Sequence, residues 1–410
     1  MSKLAIKGGA PLRKKPFPKW PVFDEAEKTT VAQVIAAGKW GHMWCYRNLF
    51  DDVESKVDEF REAFATYFAV DYALPVPNGS IALEVALRNG GIGPGDEVLT
   101  PPATWVAPNL APMIVGAQTV FVDVSPDNYC LDPDRIEDAV TDRTRAVIPV
   151  HIGGYTCDMD RIMAAARKHG LLVIEDCAQS HGSRYKGALT GTIGDFGCFS
   201  FELSKLMTAG EGGMVITNDR NLGELVFGTC GEAGAQIDRI HEGGRRRTGW
   251  NTRITEMQAA LLMVQLGRLE DHRRRRARNA QYLSGQLAQI EGITPLEQTA
   301  EQNYYSYIFK YDIRCFNDVP KAAFMEALVG EGIPLFSSPS HQEPAYRCDS
   351  FYPRHEDHSN VYCPVAERAY NEEAIGFQAT WMLLGDTGDM DDIANAIAKI
   401  RENIDELDAA

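Results

Sequence analysis

Long apolar runs are missing from this chain of 410 residues: none approaches the ~20 apolar residues that a membrane-spanning helix requires. The opening segment, Met1 to Ala10, also lacks the apolar core of a secretion signal, so the expected location is the cytoplasm. Positive charge is in deficit. Lys and Arg total 41 against 57 Asp and Glu, a formal net charge of −16. A phosphate backbone or an anionic bilayer would be repelled at long range, which excludes a general nucleic-acid or membrane-surface binder. Two local basic runs, Arg245 to Arg247 and Arg273 to Arg276, read as solvated helix faces or subunit contacts. Metal-ligand spacing is missing too: there are nine cysteines without a Cys-x-x-Cys and nine histidines without a His-x-x-x-His. Cysteines in odd number at irregular spacing, with Cys177 and Cys198 in apolar segments, fit buried free thiols in a reducing compartment. No internal repeat or low-complexity segment interrupts the chain.

What is present is an alternation of short apolar strands and helices. Residues 1–22, rich in Pro, Gly and Lys, read as an arm on the surface of the body. Helical spacing follows from about 24 to 70, carried by Val31, Val34 and Ile35 and then by Val57, Phe60, Phe64 and Phe68. Strands are expected at Tyr72–Val76, Glu97–Thr100, Thr119–Val124, Ala146–His151 and Leu171–Ile174. Helices are expected from Asn78 to Leu87, near Val106–Val115 and around Met159–His169. Short strands apolar on both faces, separated by helices, predict an α/β fold with a mostly parallel sheet. The stretch from about 255 to 290 is strongly helical. A strand at Tyr307–Ile313 and helices near 318–330 and 390–405 then suggest a smaller α+β domain. The chain thus divides into an arm (1–22), a large domain (23–282) and a small domain (283–410).

Lys205 is the first chemical candidate. Ser200 lies five residues before it, and Gly210, Gly212 and Gly213 follow. An amine beside a hydroxyl and a flexible backbone suits a phosphorylated aldehyde held as a Schiff base, the arrangement of a pyridoxal 5′-phosphate (PLP) enzyme. Taken alone, a lysine is more often a surface charge. Asp176 ends an apolar strand, where parallel sheets present their ligand crevice. It could pair with a protonated pyridine nitrogen, or it could cap a helix. Gly79 and Ser80 stand where a strand hands over to a helix, whose N-terminus favours phosphate; Ser80 could equally be a plain N-cap. Ser200 could add a hydroxyl to that phosphate or satisfy its own backbone. Trp105 could stack on a ring or be core. Gly91 to Gly95 follows a helix and precedes a strand, the reverse of the dinucleotide-binding order, and reads as a turn.

Together the segments resemble the DegT/StrS aminotransferases, PLP enzymes acting on keto-sugars and cyclitols. The resemblance rests on Asn78-Gly79-Ser80-Ile81-Ala82-Leu83, Gly93 to Val98, Thr104-Trp105, Pro149-Val150-His151, Glu175-Asp176-Cys177-Ala178-Gln179-Ser180-His181-Gly182, Ser200 to Gly213 and Gly249 to Ala260. It implies an aspartate-aminotransferase-type fold, with a seven-stranded, mostly parallel sheet in the large domain. It further implies that Lys205 holds PLP and shuttles a proton. Asp176 would pair with the pyridine nitrogen, Trp105 would stack on the ring, and Gln179 would lie near the ring hydroxyl. Gly79, Ser80 and Ser200 would bind the phosphate. Asn251 would reach that phosphate from a second subunit, which makes a homodimer. Relatives with histidine at the Lys205 position are dehydratases, so the lysine favours amination.

The segments Lys205 to Gly213, Pro18 to Pro21, Gly38 to Trp40 and Cys363 to Tyr370 look like the cyclitol and aminohydroxybenzoate branch, whose usual amino donor is L-glutamine, with L-glutamate the alternative. The chain departs from that branch at Gly41-His42-Met43, at Ser80 in place of Thr, and at Trp44 to Arg47. Tyr304, Tyr305, His341 and Arg354 are candidates for substrate contact, with structural roles the commoner reading. The rival acceptors are a nucleotide keto-sugar and an aminohydroxybenzoate precursor. A PLP-binding regulator or non-catalytic partner subunit is the rival of another class.

Overall fold

The structure, a computed structural model, describes residues 3–41, 54–226, 249–297, 299–335, 343–348 and 360–407. Helices α1 (Glu25–Ala37) and α2 (Lys56–Phe68) come first. Asp24 and Glu27 form a capping box at α1, and the Ser55 hydroxyl accepts from the Asp58 amide at α2. Along α2, Val57, Phe60, Phe64 and Phe68 recur every three to four residues and all are buried. The alternation then runs β1 (Tyr72–Val76), α3 (Gly79–Asn89), β2 (Glu97–Thr100), α4 (Ala107–Ile114), β3 (Gln118–Phe121), α5 (Ile136–Ala139), β4 (Thr144–Val147), α6 (Met159–His169) and β5 (Leu172–Asp176). A small hairpin, β6 (Arg184–Tyr185) and β7 (Ala188–Leu189), leads to β8 (Phe196–Ser200), β9 (Gly213–Thr217) and α7 (Arg220–Val226). Helix α8 (Glu256–Leu287) precedes β10 (Ile293–Pro295), β11 (Ser306–Tyr311), α9 (Lys321–Gly330), α10 (Pro364–Arg368), β12 (Ala374–Gln378), α11 (Ala379–Met382) and α12 (Thr387–Glu402).

Seven strands form one sheet in the order β1-β9-β8-β5-β4-β2-β3. Only β9 runs against its neighbours in it. This is the seven-stranded, mostly parallel α/β sheet that the resemblance implies. Two strands are shorter than expected: β3 stops at Phe121 and β4 at Val147. Pro149 has no N–H to donate to a ladder, and the chain beyond β4 keeps only an isolated bridge from Val150 to Asp176. One face of the sheet is sealed by α2 and α8 over Phe199 and Phe201, with the Phe64 and Phe68 rings stacked at 4.4 Å. The other face packs α3 and Val115 against Val98, Ile148 and Ile174. A second core joins α6, α9 and α12 to the antiparallel sheet β10-β11-β12.

Two expectations change. The arm does not simply lie on the surface: Leu4 is fully buried, and the buried Arg13 guanidinium pairs with Asp389 at 2.8 Å and Asp392 at 2.6 Å on α12. The run Arg273 to Arg276 does not all face solvent. Arg274 pairs with Asp271 on the surface, but Arg276, two positions on, turns inward and is completely buried. Arg245 to Arg247 lie outside the described residues, as do His42 to Arg47, His341 and Arg354. Among the described residues no helix is long and apolar enough to cross a membrane.

Candidate active site

The carboxyl ends of β1, β2, β5 and β8 open onto one cavity of about 600 Å³. Gly79 and Ser80 line it from the start of α3, Trp105 from the segment after β2, Asp176 and Gln179 from the end of β5, and Ser200 and Lys205 from the loop after β8. Seven of the eight residues singled out from the sequence are therefore brought together. Asn251 is not: it sits on an exposed segment before α8, where its side chain accepts from the Arg253 amide at 3.4 Å.

Local chemistry explains each placement. Asn78, not Ser80, caps α3, its Oδ1 accepting from the Ile81 amide at 2.9 Å. The first helical N–H groups, at Gly79 and Ser80, then have no acceptor within the helix and face the cavity mouth. Gly79 has a second reason to be glycine. A Cβ there would lie 2.7 Å from the Ser200 Cβ, so β8 and the start of α3 meet only because the methyl is missing. Asp176 caps no helix: its Oδ1 accepts from the Ala178 amide at 3.0 Å, closing a turn. Gln179 is buried, and its Oε1 accepts from the Gly153 amide at 2.7 Å, which points the amide NH₂ elsewhere. Trp105 is 50% exposed on the cavity wall, so it is not core.

The electrostatics are those of a site awaiting a cation. Burial pushes the Asp176 carboxyl above the usual carboxylate range; the Ala178 amide and the charge of Lys205 pull against it. Behind Asp176, Glu175 accepts from His151 Nε2 at 3.0 Å and from the amides of Gly191, Ile193 and Gly194 at 2.7–2.8 Å. His151 Nδ1 accepts from the Cys157 amide at 3.1 Å. His151, Glu175 and Cys177 lie close enough to suggest a metal cluster, but these bonds already occupy the imidazole and carboxylate acceptors. They brace the strand end instead. His181 is fully buried, and burial, with repulsion from Lys205 and Arg276, pulls it down to about 3 against the opposing pull of the Ser200 backbone.

Sequence reasoning assigned no role to several polar residues that line the cavity. Glu202 and Glu211 flank Lys205 in the loop, Ser204 precedes it, and Thr104 comes from the β2 loop. Tyr305, weighed as a substrate contact, also lines the cavity; its ring lies 4.6 Å from Lys205 Nζ. Tyr304 does not: its hydroxyl is turned to Thr299 and Gln302 in the core. The only available signal for the two glutamates was their nearness in sequence to Lys205.

The comparisons with known proteins decide the family. Residues 45–376 match the DegT/DnrJ/EryC1/StrS aminotransferase family. The chain belongs to that family. An L-glutamine:2-deoxy-scyllo-inosose aminotransferase from Streptomyces paromomycinus is 37% identical, with 97% of each chain covered. The enzyme of the same name from Streptomyces fradiae is 36% identical over 98% of each chain. The crystal structure of a 3-amino-5-hydroxybenzoic acid synthase superposes with a TM-score of 0.82 at 29% identity, covering 95% of this chain and 100% of the other.

This aminotransferase is PLP-dependent, and the cavity suits the cofactor. The amides at the N-terminus of α3, brought beside the Ser200 hydroxyl by the missing side chain of Gly79, suit a phosphate. The buried, under-bonded Asp176 carboxylate suits a protonated pyridine nitrogen, and the exposed Trp105 face suits a flat ring. The Lys205 amine suits an aldehyde.

Proposed function

We propose that this aminotransferase moves the amino group of L-glutamine, or alternatively L-glutamate, to the ketone of a cyclic polyol. Such a reaction belongs to a specialised pathway of the aminoglycoside kind. The observation that carries this reading is the near-full-length likeness to two aminotransferases whose names specify L-glutamine and an inosose. The cavity supports it: Lys205 and Asp176 share it, and the Glu202 and Glu211 carboxylates line it as acceptors for substrate hydroxyls.

In this reading Gly79, Ser80 and Ser200 hold the phosphate, Trp105 covers the ring, and Asp176 pairs with its nitrogen. The Gln179 NH₂ reaches the ring hydroxyl while its oxygen stays on Gly153. When bound, PLP supplies an electron sink that stabilises negative charge at the carbon bearing the amine. Lys205 tethers the cofactor and carries the proton to and from that carbon. A free lysine, with a pKa of about 10.4, is a poor base at neutral pH, so the enclosed cavity and a cationic neighbour matter to that role. Asn251, exposed in its own chain, completes the phosphate site of a partner subunit in a homodimer. The chain divides at 1–22, 23–282 and 283–410, with α8 bridging the second boundary. The cytoplasm remains the expected location.

The second reading is an aminohydroxybenzoate synthase, favoured by the 0.82 TM-score to such an enzyme. Absorption spectroscopy of the PLP-loaded protein tests the first half of the proposal. Addition of L-glutamine should convert the lysine-linked cofactor band to the amine-form band, and Lys205→Ala should lower turnover by about 10²–10⁴-fold. A band that no amino donor changes would reject the aminotransferase and favour a PLP-binding regulator. A panel of inososes, nucleotide keto-sugars and aminohydroxybenzoate precursors then separates the acceptors.

A further inference from the structure

One buried cation has no part in the chemistry above. Arg276, on α8, is completely buried, and no carboxylate pairs with it among the described residues. Its Nη2 has no hydrogen-bond partner. A desolvated guanidinium without a counter-ion is costly, so its contacts must account for it.

Those contacts converge on the lysine loop. Arg276 Nε donates to the Thr380 carbonyl at 2.9 Å, and Nη1 donates to Asn303 Oδ1 at 3.1 Å. The guanidinium carbon lies 5.4 Å from the centroid of the Trp20 ring. Thr380 Oγ1 in turn donates to the Ser204 carbonyl at 3.2 Å. Trp20 Nε1 donates to the Leu203 carbonyl at 2.7 Å. Those two carbonyls belong to the two residues immediately before Lys205. One buried group therefore touches both residues that grip this backbone, Trp20 of the N-terminal arm through its ring and Thr380 of α11 through its carbonyl. Asn303 extends the contact, its Nδ2 donating to the His181 carbonyl at 2.7 Å, beyond Asp176. On the cavity side, Ser204 Oγ donates to Glu202 at 2.6 Å and meets the Tyr305 hydroxyl at 3.0 Å.

The loop needs such a grip. It joins β8 to β9 through Gly210 at φ 83° and Gly212 at φ 147°, conformations that glycine alone adopts readily. A lysine has four rotatable side-chain bonds, so an unanchored backbone would leave its amine poorly aimed.

We propose that Arg276 is a positioning residue, holding Trp20 and Thr380 so that together they clamp Leu203 and Ser204 and aim the Lys205 amine into the cavity. The proposal rests on the reading of Lys205 as the cofactor lysine. It predicts that the arm, α8 and α11 govern the reactivity of a lysine they do not touch covalently.

Hydrogen exchange on the cofactor-free protein tests the clamp without any turnover. Thr380→Val removes one donor with little change of shape, Trp20→Phe removes the other while keeping a smaller aromatic ring, and Arg276→Met removes the hub. Peptides spanning 200–213 should exchange about five- to tenfold faster in the two donor variants and faster still in Arg276→Met. Peptides over β4 and β5 should be unchanged. Equilibrium dialysis should show about tenfold weaker PLP binding, and kcat with L-glutamine should fall while the donor KM stays within about twofold. Wild-type exchange at 200–213 in Thr380→Val and Trp20→Phe would overturn the clamp, even if Arg276→Met failed to fold. Faster exchange with unaltered PLP affinity and kcat would overturn the positioning role. Failure of the reading beneath it looks different: Lys205→Ala would bind PLP with a wild-type spectrum, while the exchange result still judged the clamp.

Discussion

At the scale of single residues, Asp176 and His181 are both shifted by burial, with opposite consequences. The folded cofactor-free protein holds a proton on Asp176 at higher pH than the unfolded chain, whose value is near 3.8. That contribution is present below 3.8 and is lost as pH rises through the folded value. Asp176→Asn removes the burden, so the cofactor-free variant should be at least as stable as wild type near neutrality in urea titrations. Its turnover should nevertheless fall on the order of 10²-fold or more, because the pyridine nitrogen loses its anion. His181 runs the other way. The unfolded chain takes up a proton near pH 6.5 and the folded chain only near 3. The unfolded state therefore binds more protons across that window, and stability declines as pH falls through it. Urea midpoints measured from pH 7.5 to 4 should drop in wild type and drop less in His181→Phe. The ring there already packs edge-on to Phe199 at 5.4 Å.

At the scale of elements, the site depends on how closely α3 approaches β8. Gly79→Ala places a methyl 2.7 Å from the Ser200 Cβ, and neither backbone can yield without moving a strand or a helix end. The expected cost is about 1–3 kcal/mol of stability. PLP affinity should fall as well, since the same shift withdraws the amides of the α3 N-terminus. Thermal melts with and without PLP separate the two effects: the stabilisation conferred by PLP should shrink, not only the baseline Tm. Elements with strong local signals are readable in sequence. The α2 stripe of Val57, Phe60, Phe64 and Phe68 announces itself through spacing, whereas the cap of α3 fell at Asn78 and not at Ser80, the residue the sequence offered. The end of β4 turns on Pro149, a signal present but outweighed by the apolar run around it.

At the scale of the whole molecule, the cavity in one chain holds every residue expected at the cofactor except Asn251. If Asn251 serves the partner's site, Lys205→Ala and Asn251→Ala damage different halves of each shared site. Mixing the two variants under exchange conditions should then recover about a quarter of wild-type activity, because each mixed dimer contains one intact site and half of the dimers are mixed. Asn251 acting within its own chain predicts no recovery. Size-exclusion chromatography of the mixture checks that dimers form.

Residue chemistry and local spacing were enough to read the α/β alternation and the candidate lysine and carboxylate, since those properties depend on neighbours a few positions away. The parallel sheet then made strand ends into a site, so residues at the ends of β1, β2 and β5 could be grouped before any contact was known. The inward turn of Arg276, the grip of Trp20 and Thr380 on the lysine loop, and the burial of Leu4 and Arg13 against α12 were not readable in this way. Each joins segments a hundred or more residues apart, and an arginine in a basic run looks the same whether it faces water or the core. Only packing, which decides which side of α8 meets the C-terminal sheet, distinguishes the two.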